Sequence, residues 1–92
     1  MSGHSDNGNC IIEFKDSSCH KCKLVAAVFK EDSGRRECEK WINMREETRG
    51  FFIAGFRIPG SDGTYNIDVY DVTNGVPSGE NFVSGFTAYF SH

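Results

Sequence analysis

Residues 19–22 read Cys-His-Lys-Cys, and this C-x-x-C constrains the chain more than any other segment. It follows a short β-prone run, Cys10-Ile11-Ile12-Glu13-Phe14, and a turn-like stretch, Asp16-Ser17-Ser18. It precedes Leu24, Val25, Val28 and Phe29, whose i, i+1, i+4, i+5 spacing marks one face of a helix. The pattern predicts a helix from about Cys19 to Asp32, capped by Ser17 or Ser18 and ended at Gly34. Two thiols so placed are a redox pair, half of a zinc site, or plain structural thiols.

The surrounding composition narrows the choice. Four cysteines occur in 92 residues. Residues 1–9 are small and polar, lack the apolar stretch of a secretory signal, and read as a loose leader before one domain over 10–92. No apolar run approaches the roughly 20 residues of a membrane span. The expectation is therefore a cytoplasmic chain without a membrane partner, in which cysteines serve chemistry more than stapling. The net charge is −3, with nine basic and nine acidic residues in 1–49 but one basic and four acidic in 50–92. That balance argues against nucleic acid as a partner.

Further along, Glu37 to Met44 reads as a strand and Arg45 to Ala54 as a short helix, with Gly50 as a weak point inside it. Tyr65, Ile67 and Val69 alternate with Asn66 and Asp68, the clearest strand in the chain. Asn74-Gly75 is a hairpin signal, returning into a strand over Asn81 to Gly85, and Phe86 to Phe90 suits the start of a last helix. The order β-α-β-α-β-β predicts an α/β domain with a mixed four-stranded sheet and helices on its faces.

In that setting Cys19 would occupy a helix N-terminus, where unpaired N–H groups favour a thiolate. His20 and Lys21 would add positive charge, and Cys22 would stand one turn further in. The zinc alternative counts Cys10, Cys38 and His20 beside the pair, yet no second C-x-x-C or H-x-x-x-H is present. Cys10 and Cys38 are expected as buried thiols on strands, and Trp41 as a core or half-buried ring. Asp62, Asp68 and Asp71 are too loosely spaced for a metal loop and are expected on a solvated strand face.

The segment Ile11 to Lys23 resembles the active-site strand, loop and helix start of thioredoxins and glutaredoxins. Thr48 to Gly60 is similar to the family's second helix running into its cis-proline, and Ser84-Gly85-Phe86 to the glycine that opens its last helix. The resemblance implies a thioredoxin fold and a thiol–disulfide oxidoreductase. In it Cys19 attacks, Cys22 resolves, and Glu13 takes the resolving thiol's proton. By the same resemblance Ile58 and Pro59 would pair with an extended substrate, with His20, Lys21 and Gly85 beside it. It further implies a monomer with no bound cofactor, reset by glutathione or a thioredoxin reductase. Its substrates would be disulfide-bearing proteins, ribonucleotide reductase among them. The sequence departs from the family in three places. Ser18 replaces the usual Trp, His20-Lys21 replaces Gly-Pro, and Ser61 to Tyr65 adds length after the proline.

Overall fold

A computed structural model describes all residues, 1–92. Eight strands form: β1 (Ser2–Asp6), β2 (Asn9–Lys15), β3 (Leu24–Asp32), β4 (Arg35–Asn43), β5 (Arg45–Thr48), β6 (Phe51–Arg57), β7 (Gly63–Asp71) and β8 (Phe82–Phe90). They build two four-stranded sheets, ordered β1-β2-β6-β5 and β4-β3-β7-β8. Every ladder is antiparallel. Apart from one 3-10 turn at Gly79–Asn81, no helix forms. The expected α/β thioredoxin fold is therefore replaced by an all-β sandwich.

The core lies between the sheets. Cys10, Ile12 and Phe14 of β2, with Phe52 and Ala54 of β6, meet Leu24, Ala26 and Val28 of β3, Tyr65, Ile67 and Val69 of β7, and Phe90 of β8. Each set follows the two-residue period that sends alternate side chains to one face. Gly3 lets β1 close against β8, because a Cβ there would stand 2.9 Å from the Ala88 Cβ.

Each predicted helix has a physical reason for being a strand. Leu24 to Phe29 is a continuous apolar run, which periodicity alone cannot assign. Here β3 is an inner strand of its sheet, between β4 and β7. Its inward residues bury in the core, while Ala27 and Phe29 are covered on the outer face by Trp41 across the ladder and by the Arg36 guanidinium, 4.1 Å from the Phe29 ring. The Arg45–Ala54 segment bends back on itself at Gly50, whose φ of +75° no helix accommodates, and becomes the β5–β6 hairpin. Ser33 (φ +52°) and Gly34 (φ +78°) form the turn of the β3–β4 hairpin and do not end a helix. Phe86 to Phe90 continues β8.

The expected leader is also structured. Asn7 (φ +50°) and Gly8 (φ +81°) turn β1 back onto β2, so residues 2–6 pair with residues 9–13. This is the hairpin that an Asn-Gly pair favours. Asn74-Gly75 lies in the longer connection of the β7–β8 hairpin, whose two strands pair antiparallel as its position between them suggests.

Candidate functional site: a disulfide loop at one end of the sandwich

The segment from Asp16 to Lys23 crosses from β2 in one sheet to β3 in the other. Its entry is set by Asp16, whose Oδ1 accepts from the Ser18 N–H (3.0 Å) and Ser18 hydroxyl (2.6 Å). The Asp16 carbonyl accepts from the Cys19 N–H at 3.0 Å, and the Asp16 N–H donates to the Gly50 carbonyl at 2.8 Å. These local bonds turn the chain without a helix. Cys19 then reaches Cys22, and the two are joined in a disulfide with Cα atoms 5.6 Å apart.

Two carboxylates hold the loop. Glu46 on β5 accepts from the His20 ring Nδ1 (3.1 Å), the Lys21 N–H (2.8 Å) and the Gly50 N–H (2.9 Å). Those bonds, led by that of the Gly50 N–H, lower its carboxyl from 4.5 to about 2. Lys21, at φ +62°, takes the left-handed backbone that presents its N–H to Glu46. On the other side, Asp71 at the end of β7 accepts from the Thr73 N–H (3.0 Å) and hydroxyl (2.6 Å) through Oδ1. Its Oδ2 is left 3.9 Å from the Cys19 sulfur. The Thr73 hydroxyl in turn accepts from the Lys23 N–H at 2.9 Å.

The sulfurs differ in surroundings. Cys19 is 5% exposed and belongs to the core, while Cys22 is half-buried at its edge. Cys22 also lines a cleft of about 250 Å³, five of whose seven lining residues are apolar.

The remaining site expectations separate from the pair. No helix N-terminus lies at Cys19, and the His20 ring is engaged by Glu46. Glu13 alternates with buried Ile12 and Phe14, so it points to the outer face of β2, opposite Ile53. Pro59 is trans, as is every peptide bond. Ile58 and Pro59 lie at the other end of β2, where the Ile58 N–H donates to the Gly8 carbonyl at 2.8 Å. The seven residues of β2 therefore put them about 20 Å from the disulfide. Gly85 opens no helix. It sits within β8 opposite Asp68, whose Oδ1 would be 3.0 Å from an added Cβ. Of the eight candidate site residues, Cys19, Cys22, His20 and Lys21 share one loop, and Glu13, Ile58, Pro59 and Gly85 do not join them.

Cys10 and Cys38 are free, and they lie in different sheets. Burial pushes the Cys10 thiol up, whereas Cys38, expected buried, is exposed. Trp41 is 45% exposed, its ring 5.6 Å from that of Tyr70 on the outer face. The groups gathered within 4.8 Å are Cys19, Cys22 and Asp71. This is one donor short of a closed zinc site, and both sulfurs are already bonded to each other.

Sequence reasoning missed Asp71, Glu46 and Thr73. Asp71-Val72-Thr73 at the end of the clearest strand carries a signal, since an Asp two residues before a Thr readily accepts from its backbone. Glu46 carried none, because its role depends on a hairpin that reads as a helix.

Comparison with protein-family models, with curated proteins and with solved structures returns no match. Fold and site define an antiparallel β-sandwich module bearing a four-residue disulfide loop, Cys19 to Cys22. No helix is long and apolar enough to cross a membrane.

Proposed function

We propose that the Cys19–Cys22 pair is a thiol–disulfide exchange centre that reduces disulfides, with the roles of its sulfurs opposite to those the sequence suggests. The observation that carries this reading is the asymmetry of the pair: Cys19 is buried beside the Asp71 carboxylate, and Cys22 opens to a cleft. Burial and a neighbouring negative charge both disfavour a thiolate. In the dithiol form Cys19 therefore keeps its proton, and Cys22 is the attacking sulfur.

The Cys22 thiolate attacks a substrate disulfide, forming a mixed disulfide and expelling one substrate thiolate, which takes a proton from water. Asp71 Oδ2 then accepts the Cys19 proton. The Cys19 thiolate attacks the Cys22 sulfur, re-forms the intramolecular disulfide, and expels the second substrate sulfur as a thiolate, which takes the proton back from Asp71. Two electrons pass from the protein dithiol to the substrate disulfide, and an external thiol such as glutathione, or a reductase, restores the dithiol.

The test uses reduced protein with Cys38→Ser throughout, so that no exposed thiol competes. Cys19→Ser should accumulate a stable mixed disulfide with a model disulfide at neutral pH, and Cys22→Ser should react far more slowly. The protein that keeps both Cys19 and Cys22 should reduce insulin. Faster adduct formation on Cys19 than on Cys22, or no insulin reduction, overturns the reading.

A further inference from the structure

We infer that the cleft beside Cys22 is a subsite for an apolar side chain, so that the substrates are peptide or protein disulfides with an aliphatic or aromatic residue next to the attacked cysteine. This deepens the exchange reading and rests on Cys22 as the attacking sulfur.

The cleft is lined by Cys22, Leu24, Val25, Met44 and Val72, together with Asn43 and Lys23. Its walls are tied at both sides of the sulfur. The Met44 N–H donates to the Leu24 carbonyl at 2.9 Å, and the Val72 N–H donates to the Lys23 carbonyl at 2.8 Å. Met44 is the single residue between β4 and β5, so it spans from one sheet to the other. The space is therefore a fixed gap between sheet ends and needs no closing movement to form.

Size and polarity choose the occupant. About 250 Å³ falls below the 300–1,000 Å³ of pockets that enclose a whole small molecule or cofactor. It suits one side chain of a longer ligand. Five of its seven lining residues are apolar, and Lys23 is its one charged member. Because Cys22 itself forms part of the wall, a disulfide brought to its sulfur sets the neighbouring residue at the cleft. An apolar neighbour loses water against the side chains of Leu24, Val25, Met44 and Val72, whereas an acidic one gives up hydration beside them, with the Asp71 carboxylate behind the pair. Glutathione disulfide, which carries carboxylates and no apolar side chain, gains nothing from such a site.

The experiment follows mixed-disulfide formation on the Cys19→Ser, Cys38→Ser protein with three probes. These are two matched peptide disulfides, with Leu or Asp beside the cysteine, and glutathione disulfide. The Leu peptide should react about tenfold faster than either other probe, and Met44→Gln should erase most of that preference. Equal rates, fastest reaction with glutathione disulfide, or a preference untouched by Met44→Gln overturns the subsite while leaving Cys22 as the attacking sulfur. No adduct with any probe overturns the exchange reading, and the subsite with it.

Discussion

Asp71→Asn is the most informative single change. The carboxylate Oδ2 stands 3.9 Å from the Cys19 sulfur. At about 4 Å, two unit charges repel by about 1 kcal/mol in water and about 4 kcal/mol at an effective dielectric of about 20. Asp71 is half-buried beside a buried sulfur, which places the pair between these limits, at about 2 kcal/mol. One pH unit corresponds to about 1.4 kcal/mol, so removing the charge should move the onset of Cys19 thiolate reactivity down by about 1.5 pH units. The amide keeps the shape and an oxygen for the two Thr73 bonds. The readout is residue-resolved alkylation of Cys19 in Cys22→Ser protein, followed from about pH 6 to about pH 10. A second readout separates electrostatics from proton transfer. In protein that keeps both Cys19 and Cys22, the Cys22 mixed disulfide should resolve about a hundredfold more slowly with Asn, which accepts no proton. An unmoved alkylation profile refutes the charge argument, and faster resolution with Asn removes Asp71 from the proton transfer.

Three other outcomes follow from the same geometry. Glu46 is lowered from 4.5 to about 2 in the folded chain, so its contribution to stability is fully present above about pH 4.5 and is lost as pH falls through that window toward 2; melts across it should show the wild type losing stability relative to Glu46→Gln. Gly50→Ala places a Cβ 2.9 Å from the Asp16 carbonyl oxygen at a φ of +75°, and should cost about 2 kcal/mol or more by denaturant unfolding while speeding reduction of the disulfide by a small dithiol. An alkylating reagent applied to the native protein should modify Cys38 rapidly and Cys10, buried and pushed up, only after unfolding.

The parts of the fold that were legible are those where one residue period had one meaning. Tyr65, Ile67 and Val69 alternate cleanly and form an inner face of β7. The run around Ile12 and Phe14 forms β2. Leu24 to Phe29 was not legible, because a strand covered on both faces loses its alternation and its apolar residues then fit a helical spacing equally well. Residues 45–54 misled for a different reason. Their local preferences are mixed, and the bonds of Glu46 to the Gly50 and Lys21 N–H groups, which fix the hairpin, join residues that no local window relates. Asn-Gly turns the chain directly between β1 and β2 at Asn7-Gly8, and Asn74-Gly75 lies in the connection of a hairpin that also forms, β7–β8. The difference is the length of the connection: Asn7 and Gly8 alone in the first case, and Val72 to Asn81 in the second.

The site shows why residue spacing alone does not assign roles to a cysteine pair. In a strand-to-helix turn the first cysteine of a C-x-x-C meets the helix N-terminus, and its thiolate is favoured by unpaired N–H groups. In a loop crossing the end of a sandwich the same spacing still brings the sulfurs together, yet the field around them comes from whatever lies at the strand ends. Here those groups are two carboxylates. Glu46 takes up the His20 ring and accepts from the Lys21 backbone N–H. Asp71 places negative charge beside the buried sulfur. Of the features expected to favour a Cys19 thiolate, the helix N-terminus is absent and the His20 ring is engaged by Glu46, while Asp71, expected on a solvated strand face, stands beside the sulfur. On the proposed exchange reading, the choice of attacking sulfur follows from burial, and the more accessible of the two is Cys22.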